Sequence, residues 1–256
     1  MAVAFVSVGT PTPFNSSTDV AFNSAVGPIG DLIIAVFAFE NVAAGSSPYI
    51  TPNTGQFSTA YIGPRTAWTL VGSQAPSATG TALEVWAAIE GTTSPQGPRH
   101  AKLVSSLSGV VVCGKWSGQY SPTGNILDGA IRGSTFQQWT GNSPQSPAVT
   151  TPVQGDMVIP VGAMTLNSPG FGTPTGSGNE SAYTNRTDSA RSGFGTAEAV
   201  IGDAQVLATG TTGAITWPGT ASPGTAKGAM ATLNIRPAST VINQTGLVID
   251  FTYPTV

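Results

Sequence analysis

Residues 30–40 read Gly-Asp-Leu-Ile-Ile-Ala-Val-Phe-Ala-Phe-Glu. A turn pair opens the stretch, and an apolar run rich in Ile, Val and Phe follows almost without relief. A run of this length bounded by Gly27, Pro28 and Gly30 reads as a strand covered on both faces. A buried helix is the competing reading, and the polar, turn-rich surroundings argue against it. A shorter echo occurs at Val153-Gln154-Gly155-Asp156-Met157-Val158-Ile159-Pro160-Val161. The repeated Gly-Asp opening suggests two topologically similar halves within one domain. The plainer alternative is that Gly-Asp before an apolar run is ordinary turn chemistry.

The 256 residues are enough for a sizeable core. Only 8% are charged, while 32 Gly and 20 Pro punctuate the chain. With 40% hydrophobic residues and a net charge of −3 this is not a disordered composition. It describes many short strands joined by turns, and no helix former recurs with a period near 3.6. No Lys/Arg cluster offers a footprint for nucleic acid. No apolar run of about 20 residues and no basic amphipathic stretch points to a membrane. The N-terminal Met-Ala-Val-Ala-Phe-Val-Ser-Val reads as a first strand and not a signal peptide. Cys113 stands alone, which points to manufacture in a reducing cytoplasm.

Taken in order, strands are expected at Val3–Val8, weakly at Asp19–Asn23, at Gly30–Glu40, Thr66–Val71, Leu83–Ile89, Gly109–Tyr120 and Asp156–Met164. Further strands are expected at Glu180–Arg191, Ala197–Ala208, Ala214–Trp217 and Lys227–Arg236. Thr10–Pro13 reads as a turn-rich link, Ala43–Gly63 as a long contact loop, Asn167–Gly178 as a surface loop, and Asp128–Trp139 is ambiguous. Along Leu83–Ile89, Val85, Ala87 and Ile89 share one face and Glu84, Trp86 and Ala88 the other. Gly114 and Gly118 mark bulges or close backbone approach. The fold expected is all-β, a jelly-roll-type sandwich of two sheets with long loops and a C-terminal extension. Residues 1–238 form the sandwich and 239–256 an extension.

The order Gly30-Asp31-Leu-Ile-Ile-Ala-Val, Trp68-Thr-Leu-Val, Leu83-Glu-Val-Trp86, Gly109-Val-Val-Val and Gly155-Asp156-Met-Val-Ile, closed by Ala229-Met-Ala-Thr-Leu-Asn-Ile-Arg-Pro237, resembles the lectin-like jelly-roll modules of bacteriophage virion proteins, often labelled minor tail proteins. The resemblance spans roughly residues 3–237 and rests on the order of motifs that are individually weak. It implies a non-enzymatic structural protein of a phage particle, a minor tail, fibre or capsid-decoration subunit acting in assembly and surface display. Its partners would be other virion proteins and copies of itself. The alternative it raises is a carbohydrate-binding module that recognises a host-surface glycan.

The reactive residue types give no constellation. His100 lies beside a turn cluster with no nucleophile motif near it. Cys113 sits in Val-Val-Val-Cys-Gly, an apolar setting that makes a thiol inert. Glu84 and Glu90 stand six residues apart, about 20 Å along a strand, too far for a glycosidase pair. Asp31 and Asp156 cap turns more readily than they bind calcium, because no Asp-rich loop accompanies them. No catalytic residue, metal or cofactor is therefore assigned. Among the aromatics, most Trp in strands pack in cores; Trp139 and Tyr183, in less regular polar segments, are the surface candidates for stacking on a sugar ring. Beyond Pro237 the apolar Leu247, Val248, Ile249 and Phe251 suggest a strand that pairs with a neighbouring subunit as an assembly arm, the alternative being that it completes the chain's own sandwich.

Overall fold

The computed structural model describes residues 2–23, 28–43, 49–50, 57–59, 68–76, 79–91, 99–120, 126–140, 144–150, 152–165, 172–176, 178–187, 197–218 and 227–238. The chain is a β-sandwich. Its strands are β1 (Ala4–Val8), β2 (Thr12–Phe22), β3 (Leu32–Val42), β4 (Phe57–Thr59), β5 (Thr69–Gln74), β6 (Gly80–Ile89), β7 (Arg99–Ser117), β8 (Ile131–Thr140), β9 (Gln145–Ser146), β10 (Met157–Thr165), β11 (Thr184–Thr187), β12 (Ala197–Gln205), β13 (Ile215–Thr216) and β14 (Lys227–Ile235). A 3-10 turn, Ile126–Asp128, precedes β8.

One sheet runs β1-β7-β3-β6-β5, with β2 and β4 added along β7; the other runs β8-β14-β10-β12-β11. Each sheet therefore comes from one continuous half of the chain, and the two halves use the same order. In each, the five principal strands lie as first, fifth, second, fourth, third. A jelly roll instead threads strands from both ends of the chain into each sheet, so the sandwich is as expected but its path is a duplicated five-strand unit. The sheets face each other in reversed order: β3 on β10, β7 on β12, β6 on β14, β5 on β8. A two-fold axis lying between the sheets along the strands produces that arrangement.

The duplication holds at the level of single residues. Leu32 pairs with Ile89 on one side and Trp116 on the other; Met157 pairs with Gln205 and Ile235 in the same way. Gly30 N–H donates to the Glu90 carbonyl at 2.9 Å, and Glu90 N–H returns to Asp31 O at 2.7 Å; Gly155 and Asp156 make the same exchange with Val206, both at 2.9 Å. Gly30 and Gly155 have φ of +93° and +91°, a conformation that costs side chains and suits glycine. A β-bulge recurs at matching register, with Val6 the extra residue in β1 and Arg132 in β8. The Gly-Asp echo in the sequence is thus a structural repeat as well as turn chemistry.

The apolar run of β3 is explained by two different covers. Leu32, Ile34, Val36 and Ala38 face the opposite sheet, while Ile33, Ala35, Phe37 and Phe39 face outward into an aromatic cluster with Phe14, Phe22, Tyr49 and Trp86. The N-terminal half of β7, paired to β2, supplies that outer cover together with Tyr49 and Ile50. Along β6 the division is as expected, Val85, Ala87 and Ile89 inward and Trp86 outward. The second sheet is covered by the short ribbon of β9 and β13, which lays Ile215 and Trp217 over Val158, Met164, Val200 and Ala204.

Several local expectations need correction. Thr12 and Pro13 belong to β2, which starts far earlier than Asp19 because two register shifts let it follow β7 along its length. Within 43–63, Ile50 bridges to Leu103 and Phe57–Thr59 pairs with β7. Within 167–178, Thr175 bridges to Thr216. The ambiguous 128–139 segment is largely strand β8. Gly114 does mark close approach: a Cβ there would sit 2.5 Å from the Trp116 ring. Cys113 is buried in the outer cluster. Thiol reagents are therefore expected to label it only after denaturation; rapid labelling of native protein would contradict this burial.

Candidate functional site at the Gly-Asp end

Both Gly-Asp turns lie at one end of the sandwich, joined across the sheets by residues 118–120 and 236–238. The Gln119 side-chain amide donates to Gly30 O, Gln119 bridges to Pro237, and Pro237 lies beside Gly155. Tyr120 N–H donates to Arg236 O at 2.9 Å, and Ala238 N–H to Gly118 O at 2.8 Å. Four of the five exposed large apolar side chains among the described residues, Ile29, Tyr120, Val153 and Leu207, belong to this end.

Beneath the first turn is a buried charge cluster. Both Glu90 oxygens accept from Arg99 Nη2, at 3.0 and 2.9 Å, and one also accepts from Lys115 Nζ at 2.5 Å. Burial alone raises the Glu90 carboxyl; the hydrogen bond from Lys115, the charges of Arg99 and Lys115 and the hydrogen bond from Arg99 outweigh it, and hold the group below its usual range. Asp31 shares this environment: burial raises its carboxyl, Lys115 lowers it and Glu90 raises it, for a net upward shift. Beneath the second turn the corresponding carboxylate, Asp156, accepts from Val153 N–H at 3.0 Å and from Asn234 Nδ2 at 2.9 Å. Asn234 occupies the register position that Lys115 holds in the first half. Asp156 also meets Arg132 Nε at 3.5 Å.

Two further carboxylates fasten covers and sheets. Glu84, fully buried on the outer face of β6, accepts from Tyr49 N–H, from Ile50 N–H at 3.2 Å and from the Trp86 indole at 3.1 Å. It clamps the segment that seals this face. Asp203 of β12 accepts from the Trp116 indole of the opposite sheet at 2.9 Å and pairs with Arg186 at 2.8 Å. Arg186 in turn lies 4.2 Å over the Phe5 ring. Glu84 and Glu90 thus sit in separate structural networks and form no acid–base pair.

Glu84 gives a pH-dependent signature. Its burial raises the carboxyl above the ordinary 4.5, although the N–H donors of Tyr49, Trp86 and Ile50 pull it back. Between 4.5 and the raised value the folded protein keeps a proton that the unfolded chain has lost. Stability contributed by Glu84 therefore falls as pH rises through that window and is flat above it. Glu90 acts in the opposite sense, its contribution being lost as pH drops through its lowered value. Glu84→Gln is expected to reduce the decline above 4.5, part of which remains from the raised Asp31 carboxyl, read as urea midpoints across a pH series; parallel profiles for the two proteins would contradict the assignment.

The other sequence candidates fall as follows. His100 lies in β7 between β2 and β4, opposite Ala21 and Ser58, and its Nδ1 is 2.9 Å from Asp19. Trp139 and Tyr183 are buried, at 8% and 6% exposure, so neither offers a ring face to a sugar. Trp139 lies in β8 beneath Trp217, and Tyr183 packs on Val158 while its hydroxyl donates to Glu180 at 3.1 Å. Their segments look polar because only alternate residues face the cover. Leu247, Val248, Ile249 and Phe251 lie outside the described residues. The sequence reading missed Arg132 and Arg236, which line an open cleft with Leu127, Gly129 and Ile131. The only signal available was Arg236-Pro237 at the end of a strand, since a bulge at Arg132 leaves no mark in the sequence. No family model, curated protein or solved structure matches this chain.

Proposed function

We propose that the chain is a non-enzymatic structural subunit of a bacteriophage particle, a minor tail, fibre or decoration component that assembles with virion proteins and copies of itself. The observation that carries the reading is the gathering of Ile29, Tyr120, Val153 and Leu207 at the end where residue 238 leads on toward the apolar 247–251 segment. Isolated surface apolar residues need no partner, whereas a cluster at one pole is what a contact face requires. The engagement of Glu84, Glu90, Asp156 and Asp203 in structural bonds supports the same reading, because it leaves them no acid–base role. The motif order that resembles phage virion modules supplies the particle. Electron microscopy of purified phage carrying this gene tests the proposal. A two-sheet sandwich is expected in the surface or tail density, with its Gly-Asp end against a neighbour; absence of the protein from purified particles would overturn it.

A further inference from the structure

The geometry points to an anion-binding site formed by Arg132 and Arg236 at the Gly-Asp end, built to take a carboxylate or phosphate group. The two side chains line one open cleft whose other walls are Leu127, Gly129 and Ile131. They stand on neighbouring strands, since Ile131 pairs with Ile235 and Arg236 N–H donates to Ala130 O at 2.8 Å. Two guanidiniums placed together repel unless an anion lies between them. Arg236 has no carboxylate or hydrogen-bond partner for its side chain among the described residues; its guanidinium rests 4.8 Å over the Tyr120 ring. Arg132 reaches Asp156 through Nε only, at 3.5 Å, which leaves its two terminal nitrogens as donors. Asp156, held by Val153 and Asn234 and fully buried, supplies one counter-charge on the Arg132 side, so the two guanidiniums together keep an uncompensated positive charge at the cleft.

The duplicated fold supplies an internal control. The first half builds the same bulge and strand end with Val6 at the position of Arg132 and Ser117 at the position of Arg236. The bulge and the strand end therefore form without a charge at either place, the first half carrying the cation near its Gly-Asp carboxylate at Lys115 instead. In a chain of net charge −3 with 9 Lys and Arg in all, two of them converge on one cleft. A guanidinium pair presents donors in the planar fork that matches carboxylate and phosphate oxygens. The exposed edge of Tyr120 adds an apolar surface suited to a ring carrying that anion.

The experiment titrates the full chain with inorganic phosphate, glucuronate and, as a neutral control, glucose at constant ionic strength, read by isotope-shift NMR and by melting temperature. Saturable binding of phosphate or glucuronate and none of glucose is the expected result; glucuronate tighter than phosphate identifies an acidic sugar as the source, and the reverse a phosphate. Arg132→Val and Arg236→Ser, the residues the scaffold already carries in its first half, are each expected to weaken binding about 10- to 100-fold. Without anion the Arg236→Ser protein should melt with the parent, while Arg132→Val, which also removes the ion-pair partner of buried Asp156, should melt lower, so its binding is compared at a temperature where both are folded. Absence of saturable binding in the parent, or equal binding in the double variant, would overturn the proposal.

Discussion

Glu90→Ala is expected to lower the free energy of unfolding by about 3–5 kcal/mol, because it leaves the buried Arg99 and Lys115 without their ion-pair partner, with only the nearby Asp31 to offset Lys115. Arg99 is 2% exposed and Lys115 fully buried, and Glu90 is the ion-pair partner of both. The loss is a large share of the stability of an ordinary domain. The desolvation of three charged groups means the cluster itself adds little net stability, whereas breaking it on one side is severe. Glu90→Gln should cost less, since the amide oxygen still accepts from Arg99 or Lys115. Urea unfolding of the three proteins reads the series. A loss under about 1 kcal/mol for the alanine variant would show that water reaches Lys115 and would undo the buried cluster.

Trp116→Ala is expected to be equally damaging, about 3–5 kcal/mol, and tests the joint between the sheets. Trp116 is fully buried in β7, packs edge-on against Phe5 at 5.9 Å and donates to Asp203 on the opposite sheet at 2.9 Å. Alanine empties a large volume at the inter-sheet core. Phenylalanine keeps most of the volume and removes the indole N–H, so Trp116→Phe isolates the hydrogen bond at about 1–3 kcal/mol. Equal effects of the two substitutions would mean the bond to Asp203, not packing, makes the joint. Neither variant perturbing the melt would contradict the face-to-face packing of β7 on β12.

The parts of this fold that were legible in the sequence are those whose neighbours are uniform. β3 sits at the centre of a covered sheet, so every residue from Leu32 to Phe39 is apolar and the run declares itself. β10 is legible for the same reason, β14 because its residues alternate, and Gly30-Asp31 and Gly155-Asp156 because a positive φ at a strand entrance selects glycine. β2 was not, because it follows a neighbour 77 to 99 residues away in sequence and keeps its pairing only through two irregularities. Nothing local signals that Arg99 and Lys115 both point at Glu90. Trp139 and Tyr183 read as surface aromatics because their cover, the β9–β13 ribbon, is two residues per strand. The Arg132–Arg236 cleft depends on a bulge and on the register of β8 against β14, both set by pairing across about 100 residues.

The most direct test of the assembly role is the chain cut after residue 238. By Ile235 both five-strand sets are complete, and 236–238 are tied back to 118–120. If Leu247, Val248, Ile249 and Phe251 form an arm that adds to a neighbouring subunit, residues 1–238 fold alone, because the arm contributes nothing to their own core. Light scattering and thermal melting of the two proteins decide it. The account predicts that the full chain self-associates or joins the particle, while the 1–238 protein is a monomer with an unchanged cooperative melt. Loss of the cooperative transition on truncation would contradict it, placing 239–256 in the sandwich's own core.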